Sequence, residues 1–250
     1  MPSVETSLWD IPDFADLDRE VVSEVASVSS VVEHPAHTMV CEQGRNPDAL
    51  RYLLDGQAAL TQRVADGSRV VIDLALPVTG LVVASALADS PYLMTAEALT
   101  AVAVLEIALA PLRRLIQSTP SLALAMLRRV SLDSQSATKQ VLDLKLRTTA
   151  QRLGCYLLSL VRNPSGNQAE FRLPVQKGMI AGQLGCRFEN LSRSFALLRQ
   201  LGVETHGSKV RLHDIASLEA YAVPDERVRP DGRPVGASNA AEVLSQAFKL

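Results

Sequence analysis

The sequence predicts an α+β fold: a strand-rich first half, one long helix, and a C-terminal winged helix-turn-helix. Three observations carry this. From Val31 to Ile107 short apolar runs alternate with turn signals. After Pro120 apolar and small residues recur at heptad spacing. Gln176 to Leu201 then reads as a short helix, a tight turn at Gly185 and a second helix. A length of 250 residues leaves room for two domains of roughly 100 to 150 residues. The expected division is 1–119, 120–146, 147–223, and a flexible tail over 224–250 rich in Pro, Arg and Asp.

Composition bounds the class. The chain is 47% apolar and 21% charged, no run reaches the roughly 18 apolar residues of a membrane span, and the start MPSVETSLWD has no basic-then-apolar leader. A cytoplasmic address without a membrane partner is expected. Cys41, Cys155 and Cys186 stand far apart with no CxxC pair, so reduced, structural thiols are expected. The formal net charge of −2 is uneven. Between Arg172 and Arg211 there are seven Lys or Arg against two acids, a local +5 in an otherwise acidic chain.

In chain order, Val21, Val22, Val25 and Val28 give one N-terminal helix after the Asp-rich stretch from Asp13 to Asp18. Asn46-Pro47-Asp48 and Asp55-Gly56 punctuate the strands that follow, and Asp66-Gly67 joins Leu60–Val64 to Val70–Leu74 as a hairpin. Many short strands spaced this way predict a sandwich or barrel. Pro111 opens a helix, and Pro120 a longer one. In the longer helix Leu127, Val130, Ser134, Ala137, Val141 and Leu144 follow 3, 4, 3, 4, 3 spacing, the seam of a two-stranded coiled coil. Either the seam meets a second copy, or the helix packs on its own domain. Arg128, Arg129, Asp133, Lys139 and Asp143 leave the other faces polar, which favours dimerisation.

A helix over Thr148 to Val161 carries Leu153, Tyr156, Leu157 and Leu160 on one side, a loop follows at Asn163–Asn167, and Phe171–Val175 reads as a strand. Gly202 stops the second helix of the pair, and Val203 to Leu212 forms a hairpin turning at Gly207-Ser208.

A helix-turn-helix needs a small residue at the crossing, a turn tolerant of positive φ, and apolar residues that lock the angle. Ala181, Gly185, and Ile180, Leu184, Leu191 and Leu198 meet these needs. Arg187, Phe188, Glu189, Asn190, Ser192 and Arg193 are then left at the outward start of the second helix. Arg bonds guanine O6 and N7 bidentately and Glu accepts from cytosine N4, so Glu189 and Arg193, one turn apart, are suited to reading neighbouring pairs. Gln176, Lys177, Arg187, Lys209 and Arg211 are placed for the DNA backbone. The competing reading of Glu189 and Arg193 is an exposed i,i+4 ion pair.

A strand-rich half, a long helix and a C-terminal winged module with Glu189-Asn190-Leu191-Ser192-Arg193 resemble the Crp/Fnr superfamily of bacterial transcription regulators, over about residues 15 to 222. The resemblance implies a cyclic-nucleotide-binding-like β-roll as sensor and a homodimer on palindromic double-stranded DNA with TTGA-like half-sites. RNA polymerase is the further partner implied. It also implies that Glu189 and Arg193 read a G·C pair while Ser192 contacts a neighbouring thymine. Phe188 departs from the arginine that cyclic-AMP-responsive members place there.

The resemblance limits the effector. Leu81 stands where a glutamate would hold a ribose, and Leu93 and Met94 where an Arg-Ser pair would meet a phosphate, so cyclic AMP is not expected. Three scattered cysteines do not supply the four thiolates of an iron-sulfur cluster. What remains is an apolar stretch, LVVASALADSPYLM, with Leu81, Val83, Leu87, Leu93 and Met94 as effector-binding candidates. It is similar to that of haem-containing members, the nitric-oxide-responsive Dnr/NnrR branch above all. His34 and His37 are weak axial-ligand candidates, and the favoured reading of each is a surface or loop residue. His206 and His213 fall in and beyond the wing. Two alternatives stay open: a family member regulated without an effector or through Cys41 oxidation, and, more remotely, a cupin-type metalloenzyme. His34-Pro35-Ala36-His37 lacks the cupin spacing, and an enzyme is not expected.

Overall fold

The structure is a computed structural model that describes residues 3–65 and 67–223; Asp66 and the expectations for 224–250 lie outside the described residues. The chain divides into two units, the first ending at Val141 and the second beginning at Leu142.

The first unit starts with two helices where the sequence suggested one. Helix α1 is Val4–Trp9 and α2 is Arg19–Ser27, with Val28 closing the latter. Between them Ile11, Phe14 and Leu17 turn inward, and with Leu8 they form a buried strap. Eight strands follow: β1 Ser29–His34, β2 Met39–Cys41, β3 Ala49–Asp55, β4 Ala58–Arg63, β5 Arg69–Ala75, β6 Thr79–Leu81, β7 Thr95–Ala98 and β8 Val102–Ala108. A short helix, α3 (Val83–Leu87), interrupts the run after β6. The strands form two antiparallel four-stranded sheets, β1-β8-β3-β6 and β2-β7-β4-β5, and β4 and β5 pair as the expected hairpin. Gly56 makes the tight β3–β4 turn at φ +83°, where an added Cβ would lie 2.3 Å from the Ala101 carbonyl oxygen. No side chain fits there.

The central strands β3 and β8 of the sheet β1-β8-β3-β6 are covered on both faces, which is why they read as largely apolar runs. Leu53, Val102 and Val104 share one cluster with Val40, Cys41, Ala58 and Ala96 of the other sheet. Leu50, Tyr52, Leu105 and Ile107 face a helical layer of α1, α2, α4 (Leu109–Ser118) and the start of α5 (Pro120–Leu146). Helix α4 begins two residues before Pro111, because a proline is tolerated throughout the first turn, whose N–H groups have no intrahelical acceptor. Leu122 and Met126 anchor α5 in that layer, so the long helix is continuous with the first unit up to Val141.

Two polar networks stitch this unit. Arg51, 8% exposed on β3, donates to Glu106 Oε1 (2.7 Å) and Tyr92 Oη (2.7 Å) and pairs with Asp48 Oδ1 (2.8 Å). Tyr52 Oη donates to Asp13 Oδ2 (2.7 Å) in the strap, and Arg129 of α5 pairs with Asp133 (2.8 Å) and lies 3.8 Å from Asp13. Burial raises the Asp13 carboxyl above its ordinary range, with Tyr52 and Arg129 opposing the shift.

The second unit is built from α6 (Thr149–Ser159), β9 (Ala169–Arg172), α7 (Lys177–Gln183), α8 (Phe188–Leu198), β10 (Val203–His206), β11 (Lys209–Leu212) and α9 (Ile215–Ala222). The strands form the sheet β10-β11-β9. Strand β9 starts earlier than Phe171 and stops at Arg172, which is paired with Lys209, the first residue of β11. The second helix of the pair passes at Leu198 into a 3-10 turn, Arg199–Leu201, before Gly202. Helix α9 is an element the sequence reading did not place. Leu153, Leu157, Ile180, Leu191, Phe195, Leu198, Val210 and Leu218 form the core.

Candidate nucleic-acid interface

The helix pair is held from three sides. Thr148 and Gln151 form a reciprocal capping box that starts α6. One turn on, Arg152 Nε donates to the carbonyl of Leu184 (3.0 Å) at the end of α7, and its Nη1 to that of Arg147 (2.8 Å). Sequence reasoning missed Arg152; a cation four residues after a cap was its only signal. Ala181 is 3% exposed at the crossing, and Ile180, Leu184, Leu191 and Leu198 are all buried. The turn between the helices passes through Gly185 at φ +60°, the left-handed region that costs other residues about 1–2 kcal/mol.

Helix α8 therefore has two sides. Leu191, Ser194, Phe195 and Leu198 are buried, while Arg187, Phe188, Glu189, Asn190, Ser192 and Arg193 are exposed. Arg193 Nη2 donates to Asn190 Oδ1 (2.8 Å) on its own helix. Among the described residues Glu189 and Arg193 make no ion pair, so the self-contained alternative for them is not what the structure adopts. A cleft of about 300 Å³ opens beside Arg193 and Asn190, lined also by Thr148, Thr149, Ser194 and Tyr221.

The backbone-facing candidates are less uniform. Gln176 and Arg187 occupy the N-cap positions of α7 and α8 without a side-chain capping hydrogen bond, and both are exposed. Lys177 Nζ sits 4.8 Å above the Phe195 ring, a cation–π placement. In the wing, Glu170 of β9 pairs with Lys209 (2.6 Å) and Arg211 (2.9 Å) of β11. This acid lies two residues before the window that gave +5, so the wing is less basic than the local count implied. Lys209 and Arg211 hold the Glu170 carboxyl below its ordinary range. Glu204 of β10 meets both His206 (3.0 Å) and His213 (3.1 Å), which lower it in the same way. Those two histidines belong to the wing's own hydrogen bonding.

Along α5 the proposed seam faces outward. Leu127, Val141 and Leu144 are 63%, 48% and 51% exposed, Ser134 and Ala137 are exposed, and Val130 is half-buried. The contacts of α5 with the first unit's core come instead from Leu122 and Met126.

Residues 31–119 match the cyclic nucleotide-binding domain, and residues 151–221 match the Crp-like helix-turn-helix domain. The chain belongs to the Crp/Fnr family. It is 33% identical over 137 residues to the transcriptional activator protein FnrA of Stutzerimonas stutzeri, covering 52% of this chain and 55% of the relative. It is 28% identical over 146 residues to the transcriptional activator protein anr of Pseudomonas aeruginosa, covering 57% and 60%. The chain thus spans a little over half the length of these curated relatives, both named as transcriptional activators. A crystal structure of a putative cyclic nucleotide binding protein from Ruegeria pomeroyi superposes with a TM-score of 0.61 at 27% identity, covering 89% of this chain and 98% of that one.

Within this Crp/Fnr chain the residues of the apolar stretch enter different surroundings. Leu81 lies in the cluster between the sheets, Val83 belongs to the helical layer with Leu87 against it, Leu93 is 68% exposed and Met94 half-buried. The division arises at Val82, whose left-handed φ of +50° ends β6 and turns the chain into α3. His34 sits on β1 opposite Val102, its Nε2 buried without a partner, while His37 is exposed in the following turn. Among the described residues no group of three or more His, Cys, Asp or Glu is arranged to hold a metal ion, and no helix is long and apolar enough to cross a membrane.

Proposed function

We propose that this chain is a DNA-binding transcription regulator that works as a homodimer, presenting two α8 helices to successive major grooves of a palindromic site with TTGA-type half-sites. The observation that carries the reading is the division of α8, with Glu189, Ser192 and Arg193 exposed together over a buried Leu191, Phe195 and Leu198. Glu189 and Arg193 supply the acceptor and the bidentate donor for a C·G pair, with Ser192 beside them. The exposed seam of α5 supports pairing of two copies. RNA polymerase is the downstream partner in this reading.

The test is fluorescence anisotropy of the full chain on a duplex with two inverted TTGA half-sites against one with scrambled half-sites. Preference for the first by at least the roughly thousandfold typical of specific binding is expected. Equal affinity for both duplexes would sink the proposal.

The effector is a small molecule other than cyclic AMP, or there is none. Leu81 in place of a carboxylate and its burial in the inter-sheet core argue against a cyclic nucleotide, and haem forms no part of the proposal. Regulation without an effector is the second reading, favoured by the dispersal of Leu81, Val83 and Leu93 between two cores and the surface. Oxidation of Cys41 is disfavoured, because the thiol is 6% exposed and burial raises its pKa, leaving little thiolate. Operator affinity that changes with an added small molecule would remove the effector-free reading.

A further inference from the structure

The start of α8 carries a side chain that base pairing chemistry by hydrogen bonds leaves unused. Phe188, Leu191, Phe195 and Leu198 follow 3, 4, 3 spacing, so Phe188 belongs by period to the stripe that builds the core. The last three are buried, but Phe188 is 52% exposed. It is the first residue of the helix, ahead of Leu191, the first buried position of α8. Its ridge continues one turn on to exposed Ser192, beside the parallel ridge of Glu189 and Arg193.

Resting on the proposed DNA reading, we infer that Phe188 is a specificity-determining residue that reads a thymine C5-methyl group next to the pair contacted by Glu189. A phenyl ring has no donor or acceptor, so it bonds neither phosphate oxygens nor the polar base edges. The apolar group that the major groove displays is the thymine methyl. The amino-terminal part of a recognition helix is the part that reaches the bases, and Phe188 stands there between Arg187 and Glu189. Covering the ring with that methyl removes apolar surface from water on both partners. About half of the ring's residue surface is left open to solvent in the second unit.

The experiment uses the full chain and the inverted TTGA duplex, with each thymine on either strand replaced in turn by deoxyuridine, which deletes the methyl and nothing else. Wild-type protein should lose roughly fourfold in affinity at one thymine of each half-site, the scale of one buried methyl group. Phe188→Ala should bind the unmodified duplex more weakly by a similar factor and be indifferent to the same replacement, while Phe188→Leu should keep part of the sensitivity. Absence of any methyl-sensitive thymine overturns the inference. So does a methyl effect that persists in Phe188→Ala and disappears in Ser192→Ala. In either case TTGA preference would survive, whereas equal affinity for scrambled DNA would indict the DNA reading itself.

Discussion

A methyl carbon of Leu144 lies 2.8 Å from the point that a Cβ on Gly185 would occupy. A residue of the exposed α5 seam thus covers the turn between the two helices of the DNA-facing pair. Gly185→Ala is expected to cost about 1–2 kcal/mol from the left-handed backbone and a further 1–3 kcal/mol, roughly, from overpacking against Leu144. Urea unfolding measures the sum. Pairing it with Leu144→Ala should recover the steric part alone; a double variant no more stable than Gly185→Ala would show that the contact carries no energy.

Glutamates at Leu127 and Val141, both outward on the seam, should weaken self-association by about 100-fold or more, since each would place a charge in a desolvated interface. Sedimentation equilibrium reads this directly. If the unaltered chain stays monomeric at tens of micromolar, roughly the upper range expected of a working dimer, the homodimer is wrong.

The wing should respond to pH and to salt through Glu170. Its folded pKa is depressed by Lys209 and Arg211, so the pairing stabilises fully above the ordinary glutamate value of 4.5 and is lost as pH falls through the depressed value below it. Glu170→Gln should flatten that acid limb of the stability profile. At neutral pH the same variant releases Lys209 for phosphates and leaves Arg211 only its longer pairing with Glu204 (3.7 Å). The slope of log affinity against log salt should steepen by about 1 to 2; an unchanged slope would mean that Lys209 and Arg211 do not meet the DNA.

Arg193→Ala should lower affinity by about 1–3 kcal/mol on sites that keep the guanine and relax the preference at that pair. Competition among duplexes varied at that one position decides it. A loss equal on every sequence would reassign Arg193 to the backbone.

Within the roll, Arg51→Met should be among the more damaging single changes, costing about 1.5–3 kcal/mol, because it leaves half-buried Glu106 unpaired and Tyr92 without its donor. Thermal unfolding of the full chain is the measurement. A shift no larger than that of an exposed arginine such as Arg45 would contradict the burial argument.

What was legible in the sequence was what local rules decide. The β4–β5 and β10–β11 hairpins, the Pro120 start of α5 and the Gly185 turn each follow from a residue whose backbone preference acts on its immediate neighbours. Less was legible where two surfaces compete for one run. Leu81 and Val83 sit two residues apart yet enter different cores, because the sheet between them is covered on both faces and Val82 reverses the local backbone. Helix α9 had its signals, an Asp214 cap with Ile215, Leu218 and Ala222 at helical spacing, but eight residues give little periodicity to read. Glu170 escaped because its partners are about forty positions away and only the pairing of β9 with β11 brings them together.

The strap before the first strand carries a practical lesson. Family similarity begins at residue 31, and an experimenter trimming the gene to that boundary would discard Leu8, Ile11, Phe14, Val22 and Val25, all fully or almost fully buried. Each is worth about 1.5–3 kcal/mol of burial. The trimmed protein would present the greasy outer side of β3 and β8 to water and lose the Asp13 acceptor of Tyr52. Insolubility of such a fragment would report a missing lid on the roll, and would carry no information about ligand or DNA.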